Sequence, residues 1–259
     1  MRKYIVFLIF LILVGLYFVD RYTSDEIFDT EFHYRDDFNG LDRDFWYVGE
    51  WKTLFTAYDK VSIKNGILDL TVKDTDRGPF LLSKPIRVKE GDILTIKRRV
   101  KIHYANENFN GGFAILETND KSLKPSIPEY GDWSEALGNG VALVEHVHNY
   151  DEESTRPGRD VFRVLPPTWE FDHNYAVLEP IFDDWFEEKI VYDTRSNKIK
   201  YFINADPDAE EDDENVFSVN GSNLNFEYIR VFMHSYGYYT GHSNKIDWIE
   251  VSITRSKYD

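Results

Sequence analysis

The chain has 259 residues, with 46 acidic against 30 basic side chains, a formal net charge of −16 and no cysteine. The missing cysteines exclude a disulfide framework and thiolate chemistry. The negative charge repels polyanions, which speaks against nucleic acid and anionic lipid headgroups as partners and leaves neutral glycans, cations and basic proteins. Aromatic residues are 16% of the chain, including 17 Tyr and 6 Trp, a composition that suits strands and flat binding surfaces better than a helical bundle.

Residues 1–3 are basic and residues 4–19 are apolar apart from Gly15. Extended to Tyr22, this segment approaches the ~20 residues that a bilayer core requires. Residues 16–24 offer no small-x-small pair for a signal peptidase, so an uncleaved signal anchor over 1–22 is expected, with a cleaved signal peptide as the alternative. Arg2 and Lys3 then stay in the cytoplasm, giving a single-pass membrane protein with its C-terminal domain extracytoplasmic. Residues 23–35 read as a polar stalk, and 36–259 as one domain.

The domain opens with Asp36-Asp37-Phe38-Asn39-Gly40-Leu41-Asp42, followed by Trp46 and Trp51. Residues 61–72 carry a hairpin turn at Asn65-Gly66, after which Ile67, Asp69 and Thr71 alternate with Leu68, Leu70 and Val72. Residues 80–88, 91–102 and 111–116 read as strands. The loop over 117–139 holds Pro125, Pro128, Tyr130 and Trp133, and its length marks it as either functional or a surface insertion.

A central strand then runs from Val141 to about Asn149. Strict alternation puts Val141, Leu143, Glu145, Val147 and Asn149 on one face and Ala142, Val144, His146, His148 and Tyr150 on the other. Further strands are read at 161–165, at 184–193 and 197–204 as a hairpin, at 224–234 and at 244–253. The acidic run at 206–215 lacks the glycine spacing of a calcium hand and reads as a solvated loop. No helix-period segment appears outside the anchor, and no internal repeat or phosphate-binding glycine loop is present.

His146 and His148 have the i, i+2 spacing of some zinc sites, yet no third ligand can be named, so polar lining of a sheet face is the competing reading. Trp133, Tyr150, Trp169, Tyr236, Tyr238 and Tyr239 offer flat rings for stacking on sugars, or for a core.

The opening Asp37-Phe38-Asn39-Gly40-Leu41 turn followed by Trp46, and the Asn65-Gly66 hairpin, resemble landmarks of concanavalin A-like jelly-roll domains. Val144-Glu145-His146-Val147 resembles the active-site strand of the laminarinase and lichenase type of β-glucanase. The resemblance implies an all-β jelly-roll sandwich of two antiparallel sheets, joined here to an N-terminal transmembrane helix. It places Glu145 on the general acid/base, but Gly140 on the nucleophile and Ala142 on the intervening Asp. Retaining hydrolysis needs two carboxylates about 5 Å apart, so this strand points to carbohydrate binding without cleavage. The alternatives are a divergent glycosidase that pairs Glu145 with Glu117, Asp132 or Asp151, and a cell-surface structural or protein-interaction domain. The expected sugar contacts are Glu145, His146, His148, Trp133, Tyr150, Trp169, Tyr236 and Tyr238. The resemblance also implies a structural Ca²⁺ held at Asp37, Gly66 and Asp247.

Overall fold

The computed structural model describes residues 28–50, 57–73, 78–103, 109–124, 140–149, 159–165, 176–178, 181–203, 216–220, 226–237 and 241–256. Their strands form two antiparallel sheets. Sheet A runs, edge to edge, β14 (Val216–Asn220), β13 (Lys198–Ile203), β12 (Trp185–Asp193), β7 (Asp92–His103), β16 (Ser243–Ser256), β4 (Ile67–Asp69) and β3 (Ser62–Lys64), with β1 (Phe28–Asp36) also paired to β16. Sheet B runs β11 (Ala176–Leu178), β10 (Arg159–Leu165), β9 (Gly140–Asn149), β8 (Phe109–Thr118), β15 (Tyr228–Gly237), β5 (Pro79–Ser83) and β2 (Trp46–Glu50), with β6 (Ile86–Arg87) on β15. The all-β sandwich read from the sequence is therefore present.

Alternation decides which side of each sheet meets the other. Every second residue of β7 and of β12 is buried. Leu94, Ile96, Val100 and Ile102 of β7, Phe186 and Ile190 of β12 and Ile249, Val251 and Ile253 of β16 join Phe113, Val144, Val231, Met233 and Leu81 of sheet B in one core cluster. Each such side chain contributes about 1.5–3 kcal/mol when taken from water.

Two turns fix the register. At the β3–β4 hairpin Asn65 (φ 55°) and Gly66 (φ 75°) both have positive φ, the conformation that a two-residue turn matched to strand twist demands and that Asn-Gly tolerates. In the opening turn Phe38 stands at φ 47°. Asp36 holds it there: one carboxylate oxygen accepts the Phe38 amide at 2.8 Å, and the other accepts the Trp46 indole N–H at 2.9 Å and the Tyr34 hydroxyl at 3.0 Å. Burial, together with Asp36 and Asp42, pushes the Tyr34 phenol above its ordinary pKa.

Three boundaries differ from the sequence reading. The stretch taken as stalk is a strand from Phe28 on, because β1 pairs along β16 from Phe28↔Ser256 to Asp36↔Ile249. The strand expected at 80–88 splits into β5 and β6 around Pro85, which has no N–H for a ladder. β15 begins at Tyr228 rather than 224 and runs on to Gly237. The anchor at 1–22 lies outside the described residues, among which no helix is long and apolar enough to cross a membrane.

A charged group sits in the middle of the core. Arg98 and Glu188 are fully buried, with Nε to Oε1 at 2.6 Å, and the Tyr201 hydroxyl donates to the second Glu188 oxygen at 2.5 Å. Removing one partner of a buried pair strands the other charge, so Arg98→Ala should lower unfolding free energy by about 3–5 kcal/mol, whereas the apolar triple variant Arg98→Met, Glu188→Leu, Tyr201→Phe should recover most of the loss. Urea unfolding midpoints of the single and triple variants check this.

Candidate functional site

The residues singled out on β9 lie in the middle of sheet B. Register carries one row across the sheet: Arg163 of β10 opposite Glu145 of β9, Glu145 opposite Gly112 of β8, Gly112 opposite His234 of β15, His234 opposite Phe80 of β5 and Phe80 opposite Gly49 of β2. Opposed residues share a face. The neighbouring row contains Val144, Phe113, Met233 and Leu81, which are buried in the inter-sheet core. The Glu145 position is therefore on the outer face of sheet B, and the His146 and His148 positions, in step with Val144, are on the side toward sheet A.

The ladder between β8 and β9 shifts between Ile115 and Leu116: Ile115 faces Ala142 and Leu116 faces Gly140. Val141 is thus the extra residue of a bulge. The bulge brings Gly140 onto the Glu145 face and leaves Ala142 on the other, so the two positions that the resemblance aligned with carboxylates do not share one face. Across the described positions of β8, β9, β10 and β15 on this face, Glu145 is the only acidic one.

The described aromatics of this face are not open platforms. Tyr47, Phe80, Phe232 and His234 form a ladder of rings, with centroids 6.3, 5.4 and 5.2 Å apart in sequence, and all four are buried. Sequence reasoning missed this ladder. Its signal is the apolar run over residues 79–82 in β5 and 231–233 in β15, since consecutive apolar residues mark strands buried on both faces. Trp133, Tyr150, Trp169, Tyr238 and Tyr239 lie outside the described residues, and Tyr236 is placed only by its register opposite Asn110. Asp132 and Asp151 also lie outside them.

The three positions expected to hold calcium converge at one corner of sheet A. β16 pairs with β4 through Ile246↔Leu68 and with β1 through Ile249↔Asp36. Between these pairings the β16–β7 ladder shifts, leaving Asp247 as a bulged residue between Ile246 and Trp248. The Asp37 carbonyl oxygen lies 3.5 Å from where a Cβ on Gly66 would stand. Carbonyl and carboxylate oxygens are the donors that Ca²⁺ prefers. Against them, the Arg99 guanidinium holds one Asp247 oxygen at 2.7 Å, and Arg35 holds the Asp37 carboxylate at 2.8 Å. No group of three or more His, Asp or Glu side chains able to hold a metal occurs among the described residues.

No protein-family model matches the sequence, and no curated protein matches it. The fold is similar to that of solved lectins. Lectin II from Ulex europaeus superposes with a TM-score of 0.60 at 10% identity, covering 87% of this chain and 99% of that one. Peanut lectin gives 0.58 at 10% identity, covering 87% and 97%. The Emp47p carbohydrate recognition domain gives 0.56 at 13% identity, covering 90% and 98%. This chain has the concanavalin A-like fold. Identities this low establish the architecture alone.

The corner has its own stability signature. Gly66 combines φ 75° with a carbonyl across the turn, so Gly66→Ala should cost about 1–2 kcal/mol through the left-handed backbone penalty. Equilibrium unfolding in urea measures it, and a neutral substitution would show that the turn relaxes freely.

Proposed function

We propose that this chain is a membrane-anchored, extracytoplasmic, lectin-like domain that binds a carbohydrate without cleaving it. The observation that carries the reading is the Arg163–Glu145–Gly112 row on the outer face of sheet B, in which Glu145 is the only acidic position. A lone carboxylate can accept hydroxyl hydrogen bonds but cannot serve both as nucleophile and as proton donor. Gly112, having no side chain, leaves room beside Glu145, and Arg163 adds a donor position on its other side. The similar solved structures, which are lectins and a carbohydrate recognition domain, support the same substrate class. The anchor rests on the apolar segment over 4–19.

A glycan panel with product detection tests this on the full chain in non-ionic detergent. Glu145→Gln should keep the fold and weaken glycan affinity by about 1–3 kcal/mol, as for a hydrogen bond lost from a charged group. Cleavage of β-glucan by the wild type, abolished in that variant, would instead make the protein a glycosidase.

The corner of sheet A is assigned here as a structural calcium site. Asp247 and the carbonyls of Asp37 and Gly66 would hold the ion, which would tie the opening turn to the last strand and so stabilise the folded state by mass action. Because Arg99 already neutralises Asp247, the effect should be small in the wild type and larger in Arg99→Gln. Calcium should raise the thermal midpoint and chelator should lower it in both. Midpoints insensitive to calcium in wild type and variant alike would remove the ion from the structure.

A further inference from the structure

The outer face of sheet A carries a feature that folding does not explain. Lys101 of β7 stands directly opposite Lys245 of β16, and on its other side opposite Trp185 of β12. Arg99 and His103 flank Lys101 along its own strand on the same face. All five are partly exposed. Two lysines opposed across a ladder destabilise it, and they do so here in a chain with 46 acidic side chains available to separate them.

Four carboxylates border this cluster, and two of them are ion-paired to the cations that flank Lys101. Asp247 pairs with Arg99 at 2.7 Å and Asp183 with His103 at 2.7 Å, while Asp69, which stands opposite Lys245 on the side away from Lys101, accepts the Thr71 amide at 2.9 Å. Glu187 stands opposite Arg99. Among the described residues, Lys101 and Lys245 themselves make no side-chain hydrogen bond or ion pair. Beside these two free ammonium groups lies the Trp185 ring, with the Arg99 guanidinium carbon 5.4 Å from its centroid.

We infer that Lys101, Lys245 and Trp185 form a second binding site, on the outer face of sheet A, for a saccharide bearing an anionic group. The apolar face of a pyranose packs on the indole, and its carboxylate or sulfate lies between the two lysines, accepting charge-assisted hydrogen bonds from both. The overall charge of −16 does not forbid this, because at ordinary ionic strength charges farther off than the ~10 Å Debye length are largely screened. The site is independent of the Glu145 row, since the two lie on different sheets and take ligands of different charge.

Titration calorimetry on the full chain in non-ionic detergent tests the site with three probes: an oligogalacturonate, a heparin oligosaccharide and a neutral oligosaccharide. An anionic probe should bind, and binding should weaken with salt, as exposed charge contacts do. Preference for oligogalacturonate identifies the anionic group as carboxylate, and preference for heparin identifies it as sulfate. Lys101→Gln with Lys245→Gln should weaken binding by about tenfold or more. Trp185→Ala should weaken it by about tenfold, with Trp185→Phe retaining most of the affinity and guarding against a folding defect. In the absence of ligand, Lys101→Gln alone should raise the thermal midpoint by about 1–3 °C, because the opposed like charges are relieved.

Absence of binding to both anionic probes at low salt overturns the proposal, as does unchanged affinity in the double lysine variant. Affinity that depends on the lysines but not on Trp185, and that is matched by a single-stranded oligonucleotide, identifies a bare charge contact and equally overturns it. Loss of neutral-glycan binding in Glu145→Gln with the anionic probes unaffected leaves this site standing and bears only on the other.

Discussion

The Arg98–Glu188 pair is the constraint around which the sandwich is arranged. Both groups point between the sheets, where an isolated charge costs many kilocalories and a well-bonded pair costs much less. Glu188 spends both oxygens, one on Arg98 and one on Tyr201. Burial, reinforced by the Glu188 charge, holds the Tyr201 phenol well above its ordinary pKa, so it remains a donor. Arg98 also lies over the Phe113 ring at 4.2 Å and reaches toward the Gly112 carbonyl at 3.4 Å. A sheet A side chain thus reads the position of the sheet B strand that faces Glu145. Sliding β8 by one residue would place a different carbonyl over the guanidinium and turn Phe113 out of the core. A buried pair of this kind contributes little net stability compared with apolar residues of similar volume, and its contacts with Phe113 and the Gly112 carbonyl are satisfied in this register.

Arg230 plays the complementary part at the surface of sheet B. Its guanidinium is buried and donates to the carbonyls of Ser83, Asp120, Leu123 and Ser122, the last at 2.5 Å. Desolvation brings its pKa down to about 10. Three of these carbonyls belong to the turn that follows β8 and the fourth to the end of β5, so one cation ties that turn to the sheet, two strands from β10. Arg98 occupies a position where the alternation of its strand calls for an apolar side chain, Arg230 lies on the face opposite Ile229 and Val231, and the partners of both come from elsewhere in the chain. That is why neither role shows in the local sequence.

Legibility follows the same division. The hairpin at Asn65-Gly66 and the strands β7, β12, β13 and β16 were readable because turn chemistry and a two-residue period are local properties. β1 was not, since its aromatics Phe28, Phe32 and Tyr34 are separated by Asp29, Glu31, His33 and Arg35, and an alternating acidic segment resembles a stalk until a partner strand is known. The bulge at Asp247 was equally hidden. A bulge is defined by counting residues on two strands, and one strand's sequence carries only half of that count. The faces of residues 142–149 followed from alternation, whereas the position of Gly140 did not.

The two outer faces of the sandwich differ for a reason that begins with β5 and β15. Both strands are buried on both sides, so the centre of sheet B is closed on its outer face by Phe80, Leu82 and Phe232. Polar positions on that face are displaced toward β9 and β10, where recognition rests on hydrogen bonds made at short range. β7 and β12 of sheet A alternate strictly, so the outer face there is mostly polar and its long side chains extend into water. Paired sheets lie ~10 Å apart, and side chains on either exterior add to that separation. The distance between the outer faces therefore exceeds a Debye length at ~0.1 M salt. Charge bound on sheet A is hardly felt at Glu145, and coupling between the faces has to pass through the rigid core, in which Arg98 is the one described side chain that links an ion pair on sheet A to the carbonyl opposite Glu145.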